Sequence, residues 1–179
     1  MGRRFQVGKV CYFINLVEDS MLTSLVPVPT GLFIDNKFLP AQSNATINVE
    51  NPATRKGLGS ISLAQKADVD KAVQAAKLAF ETTWNKVNPA KRGELLIRLA
   101  QLIERDVDEL ASLEAVDGGI LFNDAKNLHV PQVAETLRYF AGWADKVTGQ
   151  TLEIPNGVAY TRREPLGVCA AIIPWNAPL

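Results

Sequence analysis

The chain has 179 residues, enough for one domain with a real core, and its 47% hydrophobic and 21% charged composition is that of a globular protein rather than a disordered one. Lysine plus arginine balance aspartate plus glutamate, so the net charge is zero and no basic footprint for nucleic acid stands out. The apolar runs fall short of a membrane span, and two distant cysteines, Cys11 and Cys169, form neither a disulfide framework nor a metal-spacing motif, so a reducing, cytoplasmic setting is the default.

The first 28 residues read as an arm outside the fold, expected to be disordered. Its apolar stretch Val10 to Val17 is broken by Asn15 and lacks a small-residue cleavage site, which argues against a signal peptide. Gln6 stands where N-myristoylation needs Ser or Thr, and the arm is too poor in Arg for a mitochondrial leader. Met21 is an alternative start for the functional chain.

"GLFIDNKFLPA" alternates around Asp35-Asn36 and predicts a hairpin. "ATINVENP" predicts a strand with Ile47 and Val49 on one face, and "GLGSISL" a third, together a small antiparallel meander. The sequon at Asn44 reads as turn chemistry. In "ADVDKAVQAAKLAFETTW", Val69, Val73, Ala76 and Phe80 recur at helical spacing, with Asp68 and Asp70 in the first turn. Asn88 and Pro89 are the N-cap and first position of a second helix, whose apolar face is Leu95, Leu96, Leu99, Leu102 and Ile103. Asp106 with Glu109 resembles a capping box for a third, stopped by Gly118-Gly119. Pro131 opens a fourth, with Val133, Leu137, Phe140, Ala144 and Val147 as its buried stripe and Gly149 as its stop.

After Gly149 the period returns to two, and "QTLEI" and "VAYTRRE" flank the turn signal "PNG". "PLGVCAAIIPW" is one continuous apolar run, the pattern of a strand buried on both faces of a parallel sheet, in a sequence holding no second such strand.

Few residues carry chemistry. The lone histidine, His129, beside a helix-opening proline, reads as a capping or surface residue. There is no metal cluster, no GxGxxG and no Walker loop. Cys169 within the apolar run reads as a small buried hydrophobe. Asn176 has two readings. It is a turn residue ahead of Pro178. Alternatively it lies just past the carboxyl end of a parallel strand, where ligands bind in α/β sheets and a carboxamide can donate to a developing oxyanion.

"LFIDNKFLPA", "INVENPAT", "DVDKAVQAAKLAF", "LIRLAQLIERDVDELASLEAVDGG", "FAGWADKVTGQTLEI" and "EPLGVCAAIIPWNAPL" occur in the order of the N-terminal half of the NAD(P)-dependent aldehyde dehydrogenase superfamily. The chain resembles that family from about Pro29 to Leu179, with a flavour of its fungal or animal retinal/acetaldehyde branch. The resemblance implies an α/β fold with small antiparallel strands, about four helices, an oligomerisation hairpin and the first strand of an incomplete Rossmann-like parallel sheet. Its parts would be the arm at 1–28, strands and helices of the cofactor-binding domain at 29–149, the hairpin at 150–165, and the strand with "PWN" at 166–179.

The resemblance also implies roles. In the family a cysteine thiolate adds to an aldehyde, hydride passes to NAD or NADP, and a glutamate activates water for thioester hydrolysis. Asn176 would help hold the oxyanion, and Ile172, Ile173, Pro174 and Trp175 would line the cofactor. Asp117 would sit near a monovalent cation site found in some members, though no metal ligand is assigned, and the hairpin would pair subunits in a homo-oligomer. Departures matter as well: Gly119-Ile120 follows Asp117 where the family has Asn/Thr-Gly-Lys, and Arg163 stands where His is frequent. The family's GxTxxG-type loop, "ELGGK" glutamate and "GQxC" nucleophile are missing. Two readings follow: an N-terminal fragment of an aldehyde dehydrogenase, inactive alone, or an inactive regulatory fragment that pairs with full-length subunits. A third, an unfolded pseudogene product, is the bland alternative. The preferred aldehyde and the choice between NAD and NADP stay open.

Overall fold

The computed structural model describes residues 28–179. The expected arm therefore lies outside the described residues, apart from Val28, which is buried with the core and belongs to the fold.

β1 (Leu32–Ile34) and β2 (Lys37–Leu39) pair antiparallel across Asp35 and Asn36, whose φ angles of 51° and 60° are those of a two-residue primed turn. β3 (Thr46–Glu50) and β4 (Gly57–Ser62) form a second pair. The expected continuous meander is thus two separate hairpins. Pro40 ends β2, and Asn44 at φ 55° turns the chain before β3, so β2 and β3 share no ladder. Single backbone hydrogen bonds join the region instead, Ser62 N to Thr30 O at 2.9 Å and Leu63 N to Ala45 O at 2.8 Å. Buried Asn51 orders the β3–β4 turn, its Oδ1 accepting from the amides of Ala53 at 2.9 Å and Thr54 at 3.2 Å.

Helix α1 (Lys66–Thr82) starts on Asp68, whose carboxylate accepts from Gln65 N and Gln42 N, each at 2.9 Å. These amides, Gln65 first, hold the Asp68 carboxyl below the usual carboxylate range. The packed face of α1 is not the expected one. Ala72 and Ala75 meet Leu32, Ile34 and Ala41 of the hairpin, whereas Val69, Val73 and Ala76 are exposed and Phe80 is half-buried. The short alanines let the helix lie close to the hairpin, with Asp68 tying it to Gln42.

Asn88 caps α2 (Pro89–Arg105) as the sequence indicates, its Oδ1 accepting from Ala90 N at 2.9 Å. α3 (Val107–Gly118) follows with almost no break and ends at Gly119 in the left-handed region, φ 72°. The expected capping box is absent: the Asp106 carboxylate instead takes both Nε and Nη2 of Arg105, at 2.7 and 2.6 Å. The last helical stretch begins earlier than Pro131. A short turn, α4 (Phe122–Asp124), and a π-helical segment, Ala125–His129, lead into α5 (Val130–Trp143). It ends at Trp143, short of Gly149.

α2 and α5 form the main helix pair of the molecule. They pack through small residues: Gly93, Ala100, Ala134 and Ala141 are all buried. A Cβ on Gly93 would lie 2.8 Å from the Ala141 carbonyl oxygen. The seam turns α5 on its Val130, Ala134, Ala141 side, leaving Phe140 and Val147 of the expected stripe exposed while Val133, Leu137 and Ala144 are half-buried. Arg138 of α5 holds Glu104 of α2 at the rim of the pair.

β5 (Thr151–Ile154) and β6 (Gly157–Tyr160) form the expected hairpin around Asn156 at φ 62°, with Leu152, Ile154, Val158 and Tyr160 exposed. The Val168 to Ile173 run, expected as a Rossmann strand, forms no strand. Its apolar pattern is right for a buried strand, but a strand exists only through a ladder, and no described strand lies beside it. Among the described residues, no helix is long and apolar enough to cross a membrane.

The Gly93 contact makes a direct prediction. Alanine is favoured over glycine inside a helix by about 1 kcal/mol, but overpacking against backbone costs about 1–3 kcal/mol. Gly93→Ala should therefore destabilise the chain by about 1–2 kcal/mol in urea unfolding; a gain in stability would show that α2 and α5 are not held at this separation.

Candidate functional site

Residues 161–179 carry the sequence-predicted site. The segment leaves β6 with one backbone hydrogen bond, Thr161 N to Gln150 O at 2.8 Å, and then runs over the surface. Pro174 to Ala177 closes a turn, Ala177 N donating to Pro174 O at 3.3 Å, with Trp175 and Asn176 at its centre. The turn reading of Asn176 is therefore seen directly. Pro174 explains it locally, since its ring fixes φ ahead of the bend and Pro178 ends the segment.

Ile172, Ile173, Pro174, Trp175 and Asn176 are all exposed, Ile172 at 99% and Trp175 at 81%. The structure places them consecutively beside one another but seats none of them in a cleft. Cys169 is exposed, with its Sγ 3.7 Å from Gly167 O, which corrects its reading as a buried hydrophobe; without a sheet there is nothing to bury it. A cavity of about 480 Å³ lies between the first hairpin and α1, lined by Ile34, Leu39, Pro40, Gln42, Asp68 and Lys71, and includes none of these site residues.

Asp117 lies near the end of α3. The residue is exposed, yet protein crowds its carboxyl enough that desolvation raises its pKa. Among the described residues, no group of three or more His, Cys, Asp or Glu side chains could hold a metal ion.

Two features of the α3 to α5 region were missed by sequence reasoning. His129 neither caps α5 nor sits free at the surface: its Nδ1 lies 2.9 Å from Oε1 of Glu114, which is only 3% exposed. The other oxygen of Glu114 is buried without a partner. No local pattern could have found the pair, because fifteen residues separate its members and the π-helical segment sets the side on which His129 emerges. The second feature is apolar. Ala111, Ala125 and Val130 form a fully buried cluster joined by Ile103, Val107, Leu110, Ile120, Phe122 and Leu179, so the end of the tail returns to the body.

The sequence model of the aldehyde dehydrogenase family matches residues 38–179. The chain belongs to the aldehyde dehydrogenase family. An aldehyde dehydrogenase of Emericella nidulans is 48% identical over 169 residues, which cover 91% of this chain and 34% of that protein. The cytosolic 10-formyltetrahydrofolate dehydrogenase of Xenopus tropicalis is 43% identical over 182 residues, covering 98% of this chain and 20% of that protein. The crystal structure of PnpE in complex with nicotinamide adenine dinucleotide superimposes with a TM-score of 0.74 at 40% identity, over 77% of this chain and 28% of that one. The chain thus spans about a fifth to a third of the length of these curated relatives. The mixed architecture, helices with small antiparallel strand pairs, is the one this family shows in its N-terminal region.

The buried pair gives the site's own prediction. Removing the imidazole would leave a buried carboxylate with neither oxygen satisfied, which costs about 2–4 kcal/mol. His129→Ala should show that loss in urea unfolding, and Glu114→Gln less than half of it. Equal losses in the two variants would mean that the contact is held by packing and not by charge.

Proposed function

We propose that this chain supplies the N-terminal elements of an NAD(P)-dependent oxidation of aldehydes to carboxylic acids, with the Pro174–Trp175–Asn176 turn as its part of the active site. One observation carries the reading: a turn centred on an exposed carboxamide follows an apolar run, in a chain belonging to the aldehyde dehydrogenase family. The carboxamide of Asn176 is a neutral donor, suited to the oxyanion that forms when a thiolate adds to an aldehyde carbonyl. The 179 residues hold neither the GQxC nor the ELGGK motif, so this reading takes the thiolate and the glutamate base from outside them and expects no turnover from these residues by themselves.

The residues assigned to the cofactor fit one part of a dinucleotide. Ile172, Ile173, Pro174 and Trp175 offer apolar surface and main-chain groups, suited to lie along a planar ring or ribose. When bound, the nicotinamide group supplies the hydride acceptor, and a related structure contains NAD. Pairing of β5–β6 into a homo-oligomer is favoured by its four exposed apolar side chains, and the same hairpin supports the second reading, an inactive chain that joins full-length subunits. A cytoplasmic setting accords with the free thiol of Cys169.

The test uses two polypeptides. Purified 1–179 should form NADH from acetaldehyde or benzaldehyde only at the rate of a protein-free blank. Co-expressed with the remainder of the Emericella nidulans aldehyde dehydrogenase, it should give turnover, and Asn176→Ala should cut that turnover about 100-fold, the usual effect of losing one oxyanion donor. An active mixture in which Asn176→Ala matches the unmutated chain would refute the role of Asn176.

A further inference from the structure

The tail is attached at both ends and almost nowhere between. Thr161 bonds to Gln150 at one end. From there to Ala177 every residue except Gly167 is exposed, and Leu166 is 94% exposed. The hydrogen bonds found within this stretch, Ala177 N to Pro174 O and Cys169 Sγ to Gly167 O, are local and tie it to nothing else. Burial resumes only at Pro178 and Leu179, and Leu179 packs on the Ala111, Ala125, Val130 cluster.

That cluster is a rigid place to anchor a segment. Its three central residues are fully buried, and they come from α3, the π-helical segment and α5. Two polar links clamp the π-helical segment to α3, His129 to Glu114 at 2.9 Å and Lys126 to Asp108 at 2.6 Å. Asn176 lies three residues before the anchor, and only Ala177, which closes the turn, and Pro178, whose ring fixes φ, stand between them, leaving little slack.

We propose that Leu179 is a positioning residue: seated on this cluster, it holds the Pro174–Ala177 turn, and with it Asn176, against the α3–π-segment platform. The proposal rests on the reading of Asn176 as the oxyanion donor. It needs no contact between Leu179 and any substrate. Half-burying one leucine biases the seated over the unseated state on the order of fivefold, enough to populate one arrangement of a short turn without locking it.

Electron paramagnetic resonance of a nitroxide on Cys169 tests this in the full chain, with Cys11→Ser leaving one thiol. The label sits midway along the tethered stretch. In Leu179→Ala and Leu179→Asp the ratio of mobile to immobilised label should rise about fivefold, Leu179→Met should restore it, and the thermal midpoint should move by less than about 3 °C. Leu166→Ala, at a side chain that touches almost nothing, should leave the spectrum unchanged. An unchanged ratio in both Leu179 variants overturns the proposal. So does a rise that Leu166→Ala reproduces, or one seen only as the protein melts, which would mark a merely structural role. Because the readout involves no aldehyde, it stands apart from the two-polypeptide assay: an anchored tail with an inert Asn176 would sink the functional reading and leave the anchor.

Discussion

The distance between α2 and α5 governs the rest of this molecule. At Gly93 the helices come so near that one added carbon would press on the Ala141 carbonyl. Such an approach is available only to small side chains, and Ala100, Ala134 and Ala141 supply them. The crossing fixes the rotation of α5 about its own axis. That rotation turns Val130 inward against α3 and, through the π-helical segment, brings His129 to Glu114. The apolar platform and its polar clamp are downstream of one helix contact.

A second constraint acts on the tail. A backbone is stable as a strand when neighbouring strands take its amides and carbonyls, whatever its side chains prefer. Val168 to Ile173 has the composition of a doubly buried strand but lies at the surface. Leu166, Ile172 and Trp175 are therefore displayed to solvent, an arrangement proteins otherwise keep for surfaces that meet a partner. The site turn forms nonetheless, because Pro174 and a single local hydrogen bond suffice for it. Local chemistry shapes Asn176's turn, and long-range packing decides where that turn is held.

Legibility in the sequence followed the range of the interactions. The Asp35-Asn36 turn, the Asn88–Pro89 helix start, the Gly119 stop and the hairpin at Asn156 were readable because each is decided within a few residues. The faces of α1 and α5 were not. Periodicity picks out the most hydrophobic stripe, and here the packed stripes are alanine-rich, chosen by closeness of approach. Asp106 met the spacing for a capping box but found Arg105 closer. The motif order that marks the family was legible throughout; the Glu114–His129 pair, formed across two helices, left no trace in spacing.

Amide hydrogen exchange on the full chain tests this division most directly. The α2 and α5 amides flanking Gly93, Ala100 and Ala141 should be the most protected in the molecule, exchanging only through global unfolding, while amides of 166–173 exchange at rates near those of an unstructured peptide. Protection in 168–173 comparable to that of α2 would contradict it, since the apolar run would then be paired in a ladder and the helix crossing would not be the element on which the fold rests.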